Sequence, residues 1–494
     1  MTGISLAQFR ALSRRGSRVA VTRTIPCDLE TPVSCFLKLT GKGSDGFLLE
    51  SAEQEEKIGR YSFIGCAPSE RLTARGAVIE HVAGRRKKNL PRGTLLCDVL
   101  EKTLNACKLA NPEALPDFCG GWVGYFGYEN VASFESIKLV KKPGPGLPDG
   151  LFFLVNEFVV FDHFRKTLTL AAIVPAASGT AAARAYRSAL RILDGFERLL
   201  QKPLKRKKVS AKSAAAKFIS NLTRAQFVAK VKRIKQYVLA GDCIQVVLSQ
   251  RFKMAAVHDD FQIYRALRSI NPSPHMFYFR SGKIRLIGSS PELLVKKQGM
   301  TAEVRPIAGT RPRGRTPQED LLLEQQLKQS KKEMAEHLML VDLGRNDLGR
   351  VCRFNSVHVK NFAHVERFSH VMHLVSDVTG TLKAGQNGFD VLKATFPAGT
   401  VTGAPKIRAM QIINEQEPED RGPYAGCLGY FSYNRNMEMC ITIRTLVQDG
   451  KFLYLQAGAG IVQDSQPVKE YQETVNKARA LVKAVENRGV FECC

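Results

Sequence analysis

The first 200 residues alternate short apolar runs with glycine or charged breaks. Gly46–Ser51 and Arg60–Gly65 are two such runs, and Gly121–Tyr128 is a third. Each has the length and boundary residues of a β-strand. Leu151–Asp162 and Leu168–Val174 read as a β pair around the polar turn His163–Lys166. From Ala181 to Gln201 the period changes: Leu190, Leu193, Phe196 and Leu200 fall on one helical stripe. Thr223–Ala240 is a second amphipathic helix, ended by Gly241. Gln245–Phe252 alternates again, with Val246 and Leu248 on one face and Gln245, Val247, Ser249 and Arg251 on the other. That pattern predicts a strand with a core on one side and a cleft on the other.

Further along, Lys331–Arg350 predicts a helix with an apolar side at Leu338–Leu343 and Gly344 as its C′ residue. Phe396–Pro405, rich in glycine and threonine, opens onto a helix marked by Ile407, Met410 and Ile413, an arrangement that favours an anion. Met439–Thr445 predicts one alternating strand, with Asp449-Gly450 as a two-residue hairpin into Phe452–Gln456. Gln456–Lys477 then reads as a strand, a glycine turn, a short loop and a helix. The string Gly-x-x-Gly-Tyr-Phe-x-Tyr at 121–128 recurs at 426–433, which suggests two related sheet elements, one per half.

Composition narrows the class. A chain of 494 residues can hold two or three domains, and 44% hydrophobic content is ordinary for a globular protein. No uncharged apolar stretch reaches the roughly 18 residues of a membrane span, and the first 16 residues are too polar for a secretory signal. Twelve scattered cysteines with no C-x-x-C pair fit reduced thiols in a cytoplasmic protein, with no zinc spacing. The net charge of +27 is mostly dispersed; its two runs, Arg85–Lys88 and Lys205–Lys208, lack interleaved aromatic residues. This predicts a basic, soluble surface that draws in anions, and no nucleic-acid partner. Residues 202–217 are polar and basic and read as a linker between an N-terminal domain (1–201) and a catalytic domain (218–490).

The candidate chemistry lies in two acidic pairs. Glu470 and Glu473 sit three apart on one predicted helix, as do Glu333 and Glu336 on another. Such spacing also describes a solvated helix face. Two helices that carry it can instead meet over one hard cation, with Mg²⁺ keeping water or substrate oxygens in its remaining positions. Gly458 and Gly460 allow close backbone approach to an anion, Lys477 follows Glu473 at i+4, and Arg444 can clamp a carboxylate.

The motifs together identify a resemblance. LLES (48–51), IGRYSFIG (58–65), QVVLSQ (245–250), NPSP (271–274), GSSPELL (288–294), RPIAGTRPRG (305–314), AEHLMLVDLGRNDLGRV (335–351), VMHLVSDVTG (371–380), FPAGTVTGAPK (396–406) and EYQETVNKA (470–478) occur in one order. The chain resembles anthranilate synthase component I, of the chorismate-utilising enzymes, along nearly its whole length. The resemblance implies an α+β fold: a large antiparallel β-sandwich flanked by helices, with the active site in a cleft between the sheets. It implies Mg²⁺ held among Glu333, Glu336, Glu470 and Glu473. It implies chorismate bound by Arg444, Tyr424, Gly458, Gly460 and Lys477. Glu292 is the implied general acid, His373 the residue assisting elimination, and Thr400 a contact to the pyruvyl portion. Gln245 stands where relatives that add water carry a lysine base. Ala308 stands where the aminodeoxychorismate synthase component I branch, the alternative reading, carries lysine. Both positions imply anthranilate as product, in the first committed step of tryptophan biosynthesis.

The resemblance also implies an L-tryptophan inhibitor site at Glu50, Ser51, Pro274, His275, Met276, Leu428 and Tyr430. His275 replaces the usual tyrosine and Leu428 a smaller valine. Ala425–Gly429 mimics part of a glutaminase nucleophile motif but lacks its leading glycine, so Cys427 reads as a buried thiol. Ammonia from glutamine would then come from a separate glutamine amidotransferase subunit.

Overall fold

The computed structural model describes residues 3–41, 44–51, 59–204, 216–257, 260–368 and 371–487. Most of the predicted linker, from 205 to 215, lies outside these residues, as does the second basic run. Two twelve-stranded sheets dominate the molecule. The first runs from Arg18–Pro26 through Tyr61–Cys66, Gly46–Glu50, His275–Ser281, Ile284–Ser290 and Thr445–Gln448 to Phe452–Ile461 and Gln245–Ala255. The second runs from Ile307–Pro312 and Val371–Thr381 through Leu293–Gln298, Met437–Ile441 and Cys427–Ser432 to Gly121–Phe126 and Gly150–Val155. Neighbouring strands pair antiparallel. Each sheet therefore takes strands from both halves of the chain.

Alternation along the strands builds a sandwich. In the first sheet Phe47, Phe158 and Phe277 face the second sheet, while their neighbours Leu48, Val159 and Tyr278 face the outer helices. Across the gap Phe153 stacks on Phe279 with centroids 4.6 Å apart. The outer face is closed by helices Pro32–Leu39, Gly179–Leu200, Asp260–Ile270 and Pro467–Glu486. A separate cluster packs helices Arg224–Leu239 and Lys406–Gln416 on Val246 and Leu248. The α+β sandwich expected from the resemblance is thus the observed fold. Among the described residues no helix is long and apolar enough to cross a membrane, and all ten cysteines are free.

Several local expectations change. Leu151–Asp162 is two strands, broken at Asn156, because the chain passes there from the second sheet to the first. Met439–Thr445 likewise breaks at Thr442–Arg444: Met437–Ile441 belongs to the second sheet and Thr445–Gln448 to the first. Gly344 ends no helix; Lys331–Val351 runs through it, and a Cβ there would lie 3.0 Å from Val304 Cγ2. The glycine serves close helix–sheet contact instead. The hairpin after Gln448 is closed by the Asp449 amide on Phe452 O, so Gly450 and Lys451 are its central residues. The echoed strings form adjacent strands of one sheet, Gly121–Phe126 pairing with Cys427–Ser432.

Candidate active site

Two chain crossings lie side by side at the rim between the sheets. One is Pro291-Glu292, between Ser290 and Leu293; the other is Thr442–Arg444. They are tied together: the Ile441 amide donates to Glu292 O (3.0 Å), Ser290 Oγ to Ile441 O (2.6 Å) and the Ser289 amide to Arg444 O (3.1 Å). Arg444 turns there with φ +49°, a left-handed conformation that a residue other than glycine holds only when the surrounding structure fixes it. A cavity of about 910 Å³ opens beside these crossings.

One glutamate pair reaches the cavity from each layer. Helix Lys331–Val351 packs on the second sheet; Ser330 Oγ caps it, and His337 Nε2 lies 2.6 Å from Ser376 Oγ. It brings Glu333 and Glu336. Helix Pro467–Glu486 follows the glycine strand Phe452–Ile461 of the first sheet and brings Glu470 and Glu473. Burial pushes the carboxyls of Glu336 and Glu470 up, and the neighbouring glutamate on each helix adds to the rise. Arg311 lies 3.3 Å from Glu333 and Lys477 2.6 Å from Glu473. Among the described residues no three acidic, histidine or cysteine side chains meet closely enough to ligate one ion, so the two pairs face each other across a hollow. Carboxylate oxygens are nevertheless the hard donors that Mg²⁺ takes when substrate and water complete its shell.

Gly458 and Gly460 are not in a turn. They sit inside the strand Phe452–Ile461, paired with Ser249 and Val247. A Cβ on Gly458 would come within 2.8 Å of Tyr424 Oη, and one on Gly460 within 2.4 Å of Gln245 Nε2. Their role is to let those side chains lie against bare backbone. Lys477 Nζ donates to Gly458 O (3.0 Å) and Arg444 Nη1 to Lys477 O (2.7 Å), which joins helix, strand and crossing.

Glu292 is buried, and that burial pushes its carboxyl up to about 7. The Thr400 hydroxyl beside it opposes that rise, and Gln245 Oε1 is buried without a hydrogen-bond partner. Gln245 Nε2 donates to Glu336 Oε1 (3.3 Å). His373 Nδ1 lies 2.7 Å from Gly309 O; a carbonyl only accepts, so this nitrogen carries the proton. Burial lowers the imidazole's pKa, with Arg444 adding to the fall, so the neutral ring keeps Nε2 as an acceptor. All thirteen residues named for catalysis, substrate and metal line this one cavity. Lys332, Lys469, Thr310 and Asn476 line it too and were not singled out from sequence, where each reads as an ordinary surface or loop residue.

A second cavity, of about 760 Å³, lies between the sheets on the other side of Leu293. Glu50, Ser51, Pro274, His275, Met276, Leu428 and Tyr430 all line it. Glu50 is buried and paired with Arg268 at 2.8 Å, and it accepts from Tyr264 Oη. His275 Nδ1 lies 3.7 Å from Glu438. Cys427 is buried and burial raises its thiol far from nucleophilic range, as expected of a structural cysteine.

Paired carboxylates, a half-buried arginine and a glycine strand thus surround one hollow of a two-sheet sandwich. Residues 46–483 match the family described as chorismate binding enzyme. The chain is 46% identical over 488 residues to anthranilate synthase component 1 of Aquifex aeolicus, covering 98% of each chain. It is 43% identical to that of Acetivibrio thermocellus, covering 98% of this chain and 99% of the relative. The crystal structure of anthranilate synthase component I from Streptococcus pneumoniae superposes with a TM-score of 0.77 at 34% identity, over 93% of this chain and 99% of that one. The chain belongs to the chorismate-binding enzymes, in the family of the anthranilate synthase component 1 proteins.

Proposed function

We propose that the protein is the large subunit of a Mg²⁺-dependent anthranilate synthase. Arg444 and Tyr424 hold the enolpyruvyl carboxylate of chorismate, and Thr400 contacts the pyruvyl portion. The backbone beside Gly458 and Gly460, with Lys477, holds the ring carboxylate. Glu333, Glu336, Glu470 and Glu473 would hold Mg²⁺, which when bound supplies positive charge to that carboxylate. Glu292, protonated near neutrality, gives its proton to the C4 hydroxyl, which leaves as water while ammonia adds at C2. His373 assists the second step, in which the C2 proton and pyruvate depart and the ring becomes aromatic. Ammonia in; water, pyruvate and anthranilate out. Gln245 and Ala308 line the cavity in place of lysines, so neither a base for water nor an amine to trap the ring is present at those two positions.

The observation that carries this reading is the shared cavity: thirteen residues from distant segments, two of them glycines, line one hollow. Ammonia would come from a separate glutamine amidotransferase subunit, and the whole would work in the cytoplasm. L-tryptophan would occupy the second cavity as feedback inhibitor, where the seven expected residues come together. Glu473→Gln tests the site. Turnover of chorismate with Mg²⁺ and ammonium should fall by at least about 100-fold with an unchanged melting temperature; a variant that stays as active as the wild type removes the metal assignment.

A further inference from the structure

Behind the cavity wall lies a guanidinium that does not reach the cavity itself. Arg421 and Glu417 are exposed by only 2% and 4%. Arg421 Nε and Nη2 donate to the Glu417 carboxylate at 2.8 and 2.6 Å. The same carboxylate accepts from the amide and hydroxyl of Ser249 at 2.8 and 2.7 Å. The remaining reach of the guanidinium goes to two backbone carbonyls in different segments: Nη1 to Val401 O and Nη2 to Val247 O, both 2.8 Å. Its central carbon lies over the rings of Tyr128 (4.8 Å) and Tyr424 (5.5 Å).

Three of these partners own a piece of cavity wall. Val247 and Val401 line the cavity, Val401 follows Thr400, and Tyr424 lies against Gly458. A buried ion pair alone is weak reason to expect added stability, because desolvation offsets the attraction. A planar fork that satisfies a carboxylate and two separate carbonyls does something else: it sets the distances between them. We propose that Arg421 is a positioning residue for the chorismate reaction. It locks Val247, Thr400–Val401 and Tyr424 into one wall, and so fixes where the enolpyruvyl end of the substrate rests. This assignment rests on the function proposed above.

Arg421→Lys keeps a cation for Glu417 but loses the fork. Asp260→Asn serves as control, since it weakens the ion pair with Arg285 (2.6 Å) on a helix that lines neither cavity. Steady-state kinetics on the full chain would read KM for chorismate and for ammonium separately. In folded Arg421→Lys the chorismate KM should rise at least about tenfold while the ammonium KM stays within about twofold; the control should move neither. An unchanged chorismate KM, a matching rise in both constants, or the same shift in the control overturns the assignment. Should Arg421→Lys not fold, Tyr128→Leu removes one of the two rings against the guanidinium without stranding a charge, and a rise of at least about threefold in chorismate KM is expected. No rise there overturns it equally. Wild-type protein that leaves chorismate untouched would instead remove the proposed function, and this assignment with it.

Discussion

Glu292 shows how one residue's chemistry follows from its place in the chain. It sits on a crossing between sheets, so its side chain is closed in by both layers, and burial raises its carboxyl to about 7. A raised carboxylate pKa means the folded protein binds a proton the unfolded chain has lost. Stability therefore falls as pH rises from the unfolded value of about 4.5 and levels off above about 7, a change on the order of 3 kcal/mol from this group. Activity that needs the protonated acid falls through the same upper limit. We expect kcat/KM for chorismate to decline above about pH 7. Glu292→Gln should lose activity by about 100-fold or more, lose that limb, and be more stable than the wild type at pH 8 than at pH 5. A pH–rate profile with its limb intact in the variant would assign the proton to another group. The sequence placed Glu292 only through the GSSPELL motif; nothing in its local pattern announces burial.

At the scale of elements, periodicity located most strands and helices but not the sheet each strand joins. The alternation of Met439–Thr445 continues smoothly through Arg444, yet the strand changes sheet at that point. Likewise Leu151–Asp162 reads as one apolar run across Asn156. Which layer a strand enters depends on distant partners, and a local pattern carries no record of them. The glycines failed in another way. Gly344 reads as a helix stop and Gly458 and Gly460 as a turn facing an anion, but each sits inside a regular element where a neighbouring side chain comes close. Gly460→Ala tests this. Its Cβ would collide with Gln245 Nε2, the movable end of a side chain, so the fold should survive with a loss of about 1–3 kcal/mol. The hydrogen bond from Gln245 to Glu336 should break, and kcat/KM should fall about tenfold or more. Calorimetry and steady-state kinetics on one preparation check both halves; wild-type kinetics would show that the bare backbone at 460 is not used.

The whole molecule puts the proposed active site where its two layers are stitched together. One acidic helix rides on each sheet, and the crossings at Glu292 and Arg444 join the sheets beside both helices. The second cavity shares that junction: Leu293, which lines it, is the next residue after Glu292. Spacing alone supplied two carboxylate pairs about 140 residues apart and left a solvated face as the usual reading of each. Their meeting is a property of the sandwich, visible beforehand only through resemblance to a family. The most direct measurement is to incubate the protein with chorismate, Mg²⁺ and an ammonium salt and identify the product. The account predicts anthranilate with the amine ortho to the carboxylate, together with pyruvate, and no formation when Mg²⁺ is chelated. An amine at the para position, a hydroxylated ring, or chorismate left unchanged would contradict it.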